Sequence, residues 1–401
     1  MNPQYALTTA SYWGFTLTDG ALRMLVVLHF HQLGYSPLEI ALLFLFYEFF
    51  GIVTNLLGGW VAGRIGLGNT LLAGLLLQCT ALGLLTVDPA WLSVLYVMFA
   101  QALSGIAKDL VKLSAKSSVK LLVDEGANDK LYRWVAALTG SKNALKGIGF
   151  FVGGLLLSQF GFSNALLGLA LGLGLITGFA LFFLNRSLGK TEFKPKFTEL
   201  FSSSGRINRL SAARFFLFGA RDVWFVVALP VYLQIEQGWQ AISVAELLAL
   251  WVMGYGLVQF LTPRITQLRD AAQGSTPQQN ALVRWGLLLA LSPAVLAVSL
   301  SLSPGIDASA AIVLGIAVFG VLFAINSAVH SYLIVHYADT DGVARDVGFY
   351  YMSNAAGRLA GTLLSGALYQ AYGLAHCLWV SAAFILLATA ISYVSKSNAI
   401  R

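Results

Sequence analysis

Lysines recur every four residues in one apolar stretch, "GIAKDLVKLSAKSSVKLLV" (105–123), at positions Lys108, Lys112, Lys116 and Lys120. Residues four apart lie on the same face of an α-helix, and each such step turns the face by roughly 40°. An ammonium group that enters an apolar interior needs a compensating anion. The spacing therefore predicts a slowly winding row of cations that leads an anionic ligand toward the middle of a membrane.

The composition indicates the environment of this stretch. Hydrophobic residues make up 57% of the 401 residues and charged residues only 11%, whereas a soluble domain carries roughly 25% charged residues. A soluble globular protein is therefore excluded, and the net charge of +7 is not a nucleic-acid signal. Cys79 and Cys377 lie in separate apolar segments, which excludes a disulfide framework or a CxxC metal site. The first residues lack a signal-peptide pattern, so we expect the first apolar stretch to persist as a helix.

Twelve stretches have the ~20 apolar residues that a membrane-spanning helix requires. They predict an all-α membrane protein with twelve transmembrane helices, at 8–31, 38–62, 70–87, 91–118, 133–159, 163–185, 210–234, 243–263, 281–302, 308–336, 346–370 and 374–394. Lys and Arg are confined to alternate loops, which predicts a multi-pass protein of a bacterial inner membrane with both termini in the cytoplasm.

The two halves of the chain look like a duplication. A basic cytoplasmic linker at 186–209 separates an N-terminal six-helix half, 1–185, from a C-terminal half, 210–401. Four pairs align at one offset of 212 residues: Lys146 with Arg358, Gly149 with Gly361, Gly154 with Gly366, and Gly161 with Gly373. This organisation is typical of the major facilitator fold, whose two pseudo-symmetric halves hold the substrate near the bilayer midplane.

Charged residues within the predicted helices are the candidate site. A charged side chain at the centre of a spanning helix costs roughly 2.5–3.5 kcal/mol on an insertion scale, and here cations outnumber carboxylates. We predict that the cations bind substrate and the carboxylates couple protons. The substrate-binding candidates are Lys146, Arg358, Lys108, Arg221, Arg23, Lys142 and Lys112, and the proton-coupling candidates are Asp19, Glu48 and Asp222.

Lys146 and Arg358 are the leading pair. Each lies ~13 residues from the cytoplasmic start of its helix, which is about 20 Å of depth, so neither side chain easily reaches the interface. A structural role, in which each is bonded to carbonyls or a carboxylate, is the alternative. For Lys116 and Lys120, nearer the helix end, we expect snorkelling into the interface, and a place in the row of cations is the alternative.

The acidic candidates also have alternatives. Asp19 and Arg23 are four residues apart and could neutralise one another. Glu48 has no cation nearby in sequence, so it suits either proton uptake or a protonated hydrogen bond to a neighbouring helix. Arg221 and Asp222 are adjacent, so we expect them on different faces of the helix, with Arg221 toward the cavity.

No cofactor or metal is predicted. His29 and His31 are two residues apart and His330 and His336 six apart, and neither spacing builds a metal site on a helix. The phosphate-binding pattern GxxxxGK[ST] is absent from the sequence, which argues against ATP as the energy source.

Three long strings carry a resemblance to a known family. They are "YWGFTLTDGALRMLVVLHFHQLGYSPLEIALLFLFYEFFG" (12–51), "AQALSGIAKDLVKLSAKSSVKLLV" (100–123) and "LYRWVAALTGSKNALKGIGFFVGG" (131–154). They resemble the ArsJ family of organoarsenical efflux permeases within the major facilitator superfamily. The resemblance implies export of 1-arseno-3-phosphoglycerate, a product of glyceraldehyde-3-phosphate dehydrogenase acting with arsenate, and hence arsenate resistance.

The resulting prediction is proton-coupled secondary efflux of this small anion by a monomeric antiporter in membrane lipid. It involves no nucleic acid and no enzymatic step. An organophosphate/phosphate antiporter of the same superfamily is the alternative, because composition does not separate the two cargoes. A membrane-embedded enzyme acting on anionic lipid head groups would need a nucleophile and a base near the interface, and no Ser/His/Asp or paired-carboxylate arrangement supports it.

Overall fold

The computed structural model describes residues 3–35, 40, 43–124, 126–190, 204–266, 276–302, 307–340 and 342–397. These residues form long helices and one short 3₁₀ turn, Pro89–Trp91. The helices are α1 (Pro3–Gln32), α2 (Leu45–Ile65), α3 (Leu67–Leu84), α4 (Val94–Leu122), α5 (Asn128–Phe183), α6 (Gly205–Phe225), α7 (Ala228–Ile235), α8 (Ala241–Thr266), α9 (Thr276–Leu302), α10 (Ala308–Tyr337) and α11 (Val343–Ser397). Most of the predicted basic linker, 191–203, lies outside the described residues.

The helices confirm the predicted membrane-spanning architecture. Among the described residues, nine helical segments are long and apolar enough to cross a bilayer. Two of them, Asn128–Phe183 with 56 residues and Val343–Tyr393 with 51, are about 75–85 Å long at 1.5 Å per residue. Each of these two is long enough for two crossings of a core ~30 Å thick. With α1, the described helices match the twelve predicted spans.

A glycine interrupts each of the two longest helices. Gly161 in α5 has φ 74° and Gly373 in α11 has φ 76°, a left-handed conformation that glycine adopts without steric cost. The two breaks lie 212 residues apart, at the offset found in the sequence. They divide α5 and α11 into a first and a second arm at the same point of the repeat.

Close packing of the first arms repeats in the same way. A Cβ added to Gly149 of α5 would lie 2.6 Å from the Leu17 carbonyl oxygen of α1, and one added to Gly361 of α11 would lie 2.5 Å from the Gly219 carbonyl oxygen of α6. Only glycine allows such backbone approaches. Both first arms are therefore seated against the opening helix of their own half.

The chain divides into two compact units. The first comprises Met1–Asp124, Ser141–Phe201 and Ala338–Phe349, and in it α4 packs against α1, α2 and α3. The second comprises Glu125–Gly140, Ser202–Tyr337 and Tyr350–Arg401, and in it α10 packs against α6, α8 and α9. In each half, the fourth membrane span (α4 or α10) thus packs against the first three spans of the same half. A duplicated chain is expected to show the same pairing in both halves.

The predicted span 210–234 is not one continuous helix. It breaks between α6 and α7, just before Pro230, because proline has no N–H to donate to the carbonyl four residues earlier, that of Val226. The Ala228 N–H after the break donates to Ser365 Oγ at 3.1 Å. A side chain from a neighbouring helix thus satisfies the backbone, as breaks in membrane helices require.

Candidate functional site

The first cluster of charges lies within the first compact unit. We name it the lysine cluster, and its residues come from α1, α2, α4 and the first arm of α5. It comprises Asp19, Arg23, Glu48, Lys108, Asp109, Lys112, Lys142 and Lys146. Apart from buried Asp19 and Asp109 and exposed Glu48, these side chains are partly buried. The packing of α4 on α1 and α2 brings these sequence-distant charges together.

Glu48 is shared by two cations. Arg23 Nη2 lies 3.2 Å from Glu48 Oε1, and Lys108 Nζ lies 3.9 Å from Glu48 Oε2. Glu48 has no cation nearby in sequence, but it is not a lone carboxylate in the structure. Its cations come from other helices, which no local pattern in α2 could indicate.

Asp19 and Arg23 have different partners in the structure. Asp19 is 5% exposed and accepts a hydrogen bond of 2.6 Å from the Tyr47 hydroxyl. Arg23 pairs with Glu48 instead. The mutual neutralisation considered for Asp19 and Arg23 is therefore not the ion pair that forms. Tyr47 also faces both cations, with its ring centroid 4.8 Å from Arg23 Cζ and 3.9 Å from Lys108 Nζ.

Asp109 is the buried anchor of the lysine stripe on α4. Its carboxylate is 2% exposed, forms an ion pair with Lys112, and lies 3.7 Å from Lys108 Nζ. A Cβ on Gly51 of α2 would lie 2.6 Å from Asp109 Oδ2, so the glycine leaves space for the carboxylate. Lys116 is 4% exposed, and the expectation that it snorkels is corrected, because the helices around α4 cover it.

Lys146 differs from Arg23, Lys108 and Lys112, which form ion pairs. No described carboxylate lies within ion-pair distance of it, although Asp19, Glu48, Arg23 and Lys108 are within electrostatic reach. Its Nζ lies 5.8 Å from the centroid of the Phe150 ring. Lys146 therefore keeps a positive charge that the described residues do not neutralise through direct contact.

The second cluster lies within the second compact unit and centres on Asp222. This carboxylate is 1% exposed, and it accepts from Arg221 Nε at 2.5 Å and from Arg358 Nε at 3.1 Å. We name these three residues the arginine cluster. The expectation that Arg221 and Asp222 point to different faces is wrong, because the long arginine side chain folds back onto its neighbour. Arg358 remains 41% exposed.

Arg214 is a further cation that the sequence analysis did not select. It is 3% exposed and donates from Nε to Asn354 Oδ1 at 2.9 Å and from Nη1 to Ser327 Oγ at 3.2 Å. No described carboxylate forms an ion pair with it. The available signal was its position seven residues before Arg221, which places both on nearly the same face of α6.

Both clusters carry more cations than carboxylates. In the first, Arg23, Lys108, Lys112, Lys142 and Lys146 exceed Asp19, Glu48 and Asp109. In the arginine cluster two arginines share one buried carboxylate, and Arg214, outside that cluster, has only neutral hydrogen-bond partners. Charges that are partly removed from water favour an added anion. Each cluster, within its own compact unit, can therefore bind an anionic group, through ammonium groups in the lysine cluster and through guanidinium forks in the arginine cluster.

Comparison with known proteins gives a consistent result. The family model of the Major Facilitator Superfamily matches residues 6–331. The structure resembles a bacterial homologue of the iron transporter ferroportin in an outward-facing state (TM-score 0.78, 14% identity, 98% of this chain and 99% of that one). It also resembles the human organic anion transporter MFSD10 (TM-score 0.72, 16% identity, 98% and 100%) and the E. coli fucose:proton symporter (TM-score 0.74, 12% identity, 98% and 99%). None of the curated proteins matches the chain.

Proposed function

Because the chain belongs to the major facilitator superfamily, a family of membrane transporters of small molecules, we propose that its cargo is a small, multiply charged anion and that it exports this cargo. One observation carries the proposal: in the lysine cluster and in the arginine cluster the cations on membrane-spanning helices outnumber the carboxylates, and Lys146 has no described carboxylate within ion-pair distance. A neutral cargo would not offset the free-energy cost of placing these cations in membrane-spanning helices.

We assign anion binding to the cations of each cluster, taken within its own compact unit. Lys146, Arg23, Lys108, Lys112 and Lys142 attract and hold the anion from the lysine cluster, as compact point charges. The arginine cluster contributes Arg221 and Arg358, whose planar guanidinium groups suit phosphate and arsenate oxygens.

The proposed coupling residues are Asp19, Glu48 and Asp222, of which Glu48 and Asp222 form ion pairs with the cations of their clusters. Glu48 is the most accessible of the three, with 48% of its side chain exposed, and it contacts two cations. Protonation of Glu48 would release Arg23 and Lys108 for the anion, and binding of the anion would in turn compete with Glu48. Proton and cargo are thereby linked through shared partners.

The cargo that fits best is an arsenylated phosphoglycerate, 1-arseno-3-phosphoglycerate. The resemblance of the strings at 12–51, 100–123 and 131–154 to the ArsJ permeases supports it, as does the surplus of cations. Both described cysteines are free and belong to different compact units. Trivalent arsenic calls for clustered thiolates, whereas a pentavalent ester needs charge and hydrogen bonds. We further propose a monomer in a bacterial inner membrane with both termini cytoplasmic, supplied by glyceraldehyde-3-phosphate dehydrogenase.

The test is arsenate tolerance in cells that lack their own arsenate efflux. Co-expression of this protein with the dehydrogenase should raise tolerance and lower intracellular arsenic, and Lys146→Met should abolish both effects at equal protein level. The exposed Arg284 of α9 supplies a control, since Arg284→Gln should retain tolerance. Unchanged arsenic content with the wild-type protein would show that the cargo is wrong.

The alternative cargo is an organophosphate exchanged for phosphate, because the guanidinium groups of Arg221 and Arg358 would hold a phosphate ester equally well. Proteoliposomes separate the two. An antiporter of this kind requires inorganic phosphate on the opposite side for uptake of labelled 3-phosphoglycerate, whereas proton-coupled transport proceeds with a pH gradient alone.

A further inference from the structure

A group of polar side chains surrounds Arg214 in the second compact unit. They come from α10 and from the first arm of α11: Ser327, His330, Ser331, Tyr350 and Asn354. Arg214 lies seven residues before Arg221 on α6, which is about 10 Å along the helix axis and about 20° around it. The group around Arg214 is therefore separate from the arginine cluster, although Arg214 and Arg221 project from nearly the same face of α6.

Arg214 is held in position without being neutralised. Asn354 Oδ1 and Ser327 supply acceptors at 2.9 Å and 3.2 Å, and the ring centroids of Phe218 and Tyr350 lie 3.9 Å and 5.1 Å from Arg214 Cζ. All of these partners are neutral. A guanidinium has five N–H donors and stays charged, so a side chain that is 3% exposed retains a full unpaired charge in a fixed orientation.

The neighbours of Arg214 have unused hydrogen-bonding capacity. His330 Nδ1, Ser331 Oγ and Tyr350 Oη are all buried, and none makes a hydrogen bond with a described residue. The Ser331 hydroxyl lies close to the hydroxyls of both Tyr350 and Tyr351 but is not in hydrogen-bond geometry with either. Buried polar groups in native proteins are nearly always paired, and a concentration of exceptions indicates a ligand or ordered water.

We propose that Arg214, Ser331 and Tyr350 form a second anion subsite, which binds a tetrahedral oxyanion group such as phosphate or arsenate. The guanidinium supplies the charge and the two hydroxyls donate to the remaining oxygens. The inference rests on the proposed anion transport and deepens it. Cargo with an oxyanion at each end would place one end here and the other at Arg221 and Arg358, or would occupy the two positions in succession.

Binding of inorganic phosphate to the purified full-length protein tests the subsite without requiring transport. Titration calorimetry should detect phosphate binding to the wild type. Arg214→Lys keeps the charge but loses the fork, and should weaken binding at least tenfold. Ser331→Ala should also weaken it roughly tenfold or more, the value of one hydrogen bond to a charged group. Arg284→Lys, at an exposed position of α9, should bind as the wild type does.

Thermal unfolding separates ligand binding from a structural role. Because the Ser331 hydroxyl has no partner among the described residues, its removal should leave the unfolding temperature unchanged or raise it. A Ser331→Ala protein that is fully stable yet binds phosphate several-fold more weakly supports the subsite, even if Arg214→Lys does not fold. If the Ser331→Ala protein binds phosphate with wild-type affinity, the subsite is wrong, because the Ser331 hydroxyl then makes no hydrogen bond to the anion.

The subsite and the proposed function can fail independently. If cells show no arsenate tolerance but phosphate binding depends on Ser331 and Arg214, the cargo assignment is wrong and the subsite stands. If tolerance is conferred but phosphate binding is indifferent to both substitutions, the subsite is wrong and export stands.

Discussion

Replacement of Lys146 by methionine should stabilise the protein while it abolishes transport. Methionine preserves the length and the apolar stem of lysine and removes only the ammonium charge. No described carboxylate forms an ion pair with Lys146, although two cations, Arg23 and Lys108, and two carboxylates, Asp19 and Glu48, act on it at longer range. The substitution therefore removes an unneutralised charge and breaks no ion pair among the described residues, in contrast to most losses of buried charge.

The magnitude follows from the cost of a lysine at membrane depth. An insertion scale sets this cost at roughly 2.5–3.5 kcal/mol at the centre of a helix. Lys146 is only partly buried and contacts the Phe150 ring, so about a third of that cost, ~1 kcal/mol, is the expected gain. In a domain of moderate size this corresponds to a rise of ~2–4 °C in Tm. Scanning fluorimetry of the purified protein in detergent measures it.

Lys112 supplies the matched control. It forms an ion pair with Asp109, whose carboxylate is 2% exposed, so Lys112→Met leaves a buried anion with only the more distant Lys108. We expect Tm to fall, by the equivalent of roughly 1–3 kcal/mol. If Lys146→Met lowers Tm as much as Lys112→Met does, Lys146 is a structural group, and the reasoning that reserves it for an anionic cargo is refuted.

Three further predictions concern the arginine cluster, the coupling residue and the repeat. Asp222→Asn should destabilise the protein by roughly 3–5 kcal/mol, because it leaves two arginines without their shared carboxylate, and Arg221→Gln in the same chain should restore part of the loss in a denaturation assay. Glu48→Gln should change the free energy of unfolding by less than about 1 kcal/mol, since the Glu48 side chain is 48% exposed. Proteoliposomes with this variant should no longer accumulate the anion in response to a pH gradient, but should still exchange it. Gly361→Ala should cost roughly 1–3 kcal/mol through overpacking, whereas Gly366→Ala, with no atom within 4 Å of the added Cβ, should be neutral or stabilising by up to ~1 kcal/mol.

Each of these has a contradicting outcome. Additive effects of the Asp222 and Arg221 substitutions would mean that the two side chains do not interact. Undiminished gradient-driven accumulation in the Glu48 variant would assign coupling elsewhere. Equal stabilities of the two glycine variants would contradict the close contact of α11 with α6.

Much of the fold could be predicted from local properties of the sequence. The length of each apolar stretch reflects the thickness of the bilayer, which every spanning helix must satisfy by itself. The glycine offset identified the repeat, and Gly161 and Gly373 break their helices at that offset. The break between α6 and α7 also had a visible cause in Pro230, although the apolar stretch was interpreted as continuous.

The charge pairing is different, because it depends on which helix faces meet. Glu48 and Arg23 are 25 residues apart and on separate helices, so no spacing rule links them. Asp19 accepts a hydrogen bond from the Tyr47 hydroxyl and does not form an ion pair with Arg23. The sequence by itself determined how many charges enter the membrane and on which spans they lie. Only the tertiary structure decided which cations form ion pairs and which, such as Lys146 and Arg214, do not. The physical reason is that Coulomb interactions depend on distance in space, which separation along the sequence does not measure.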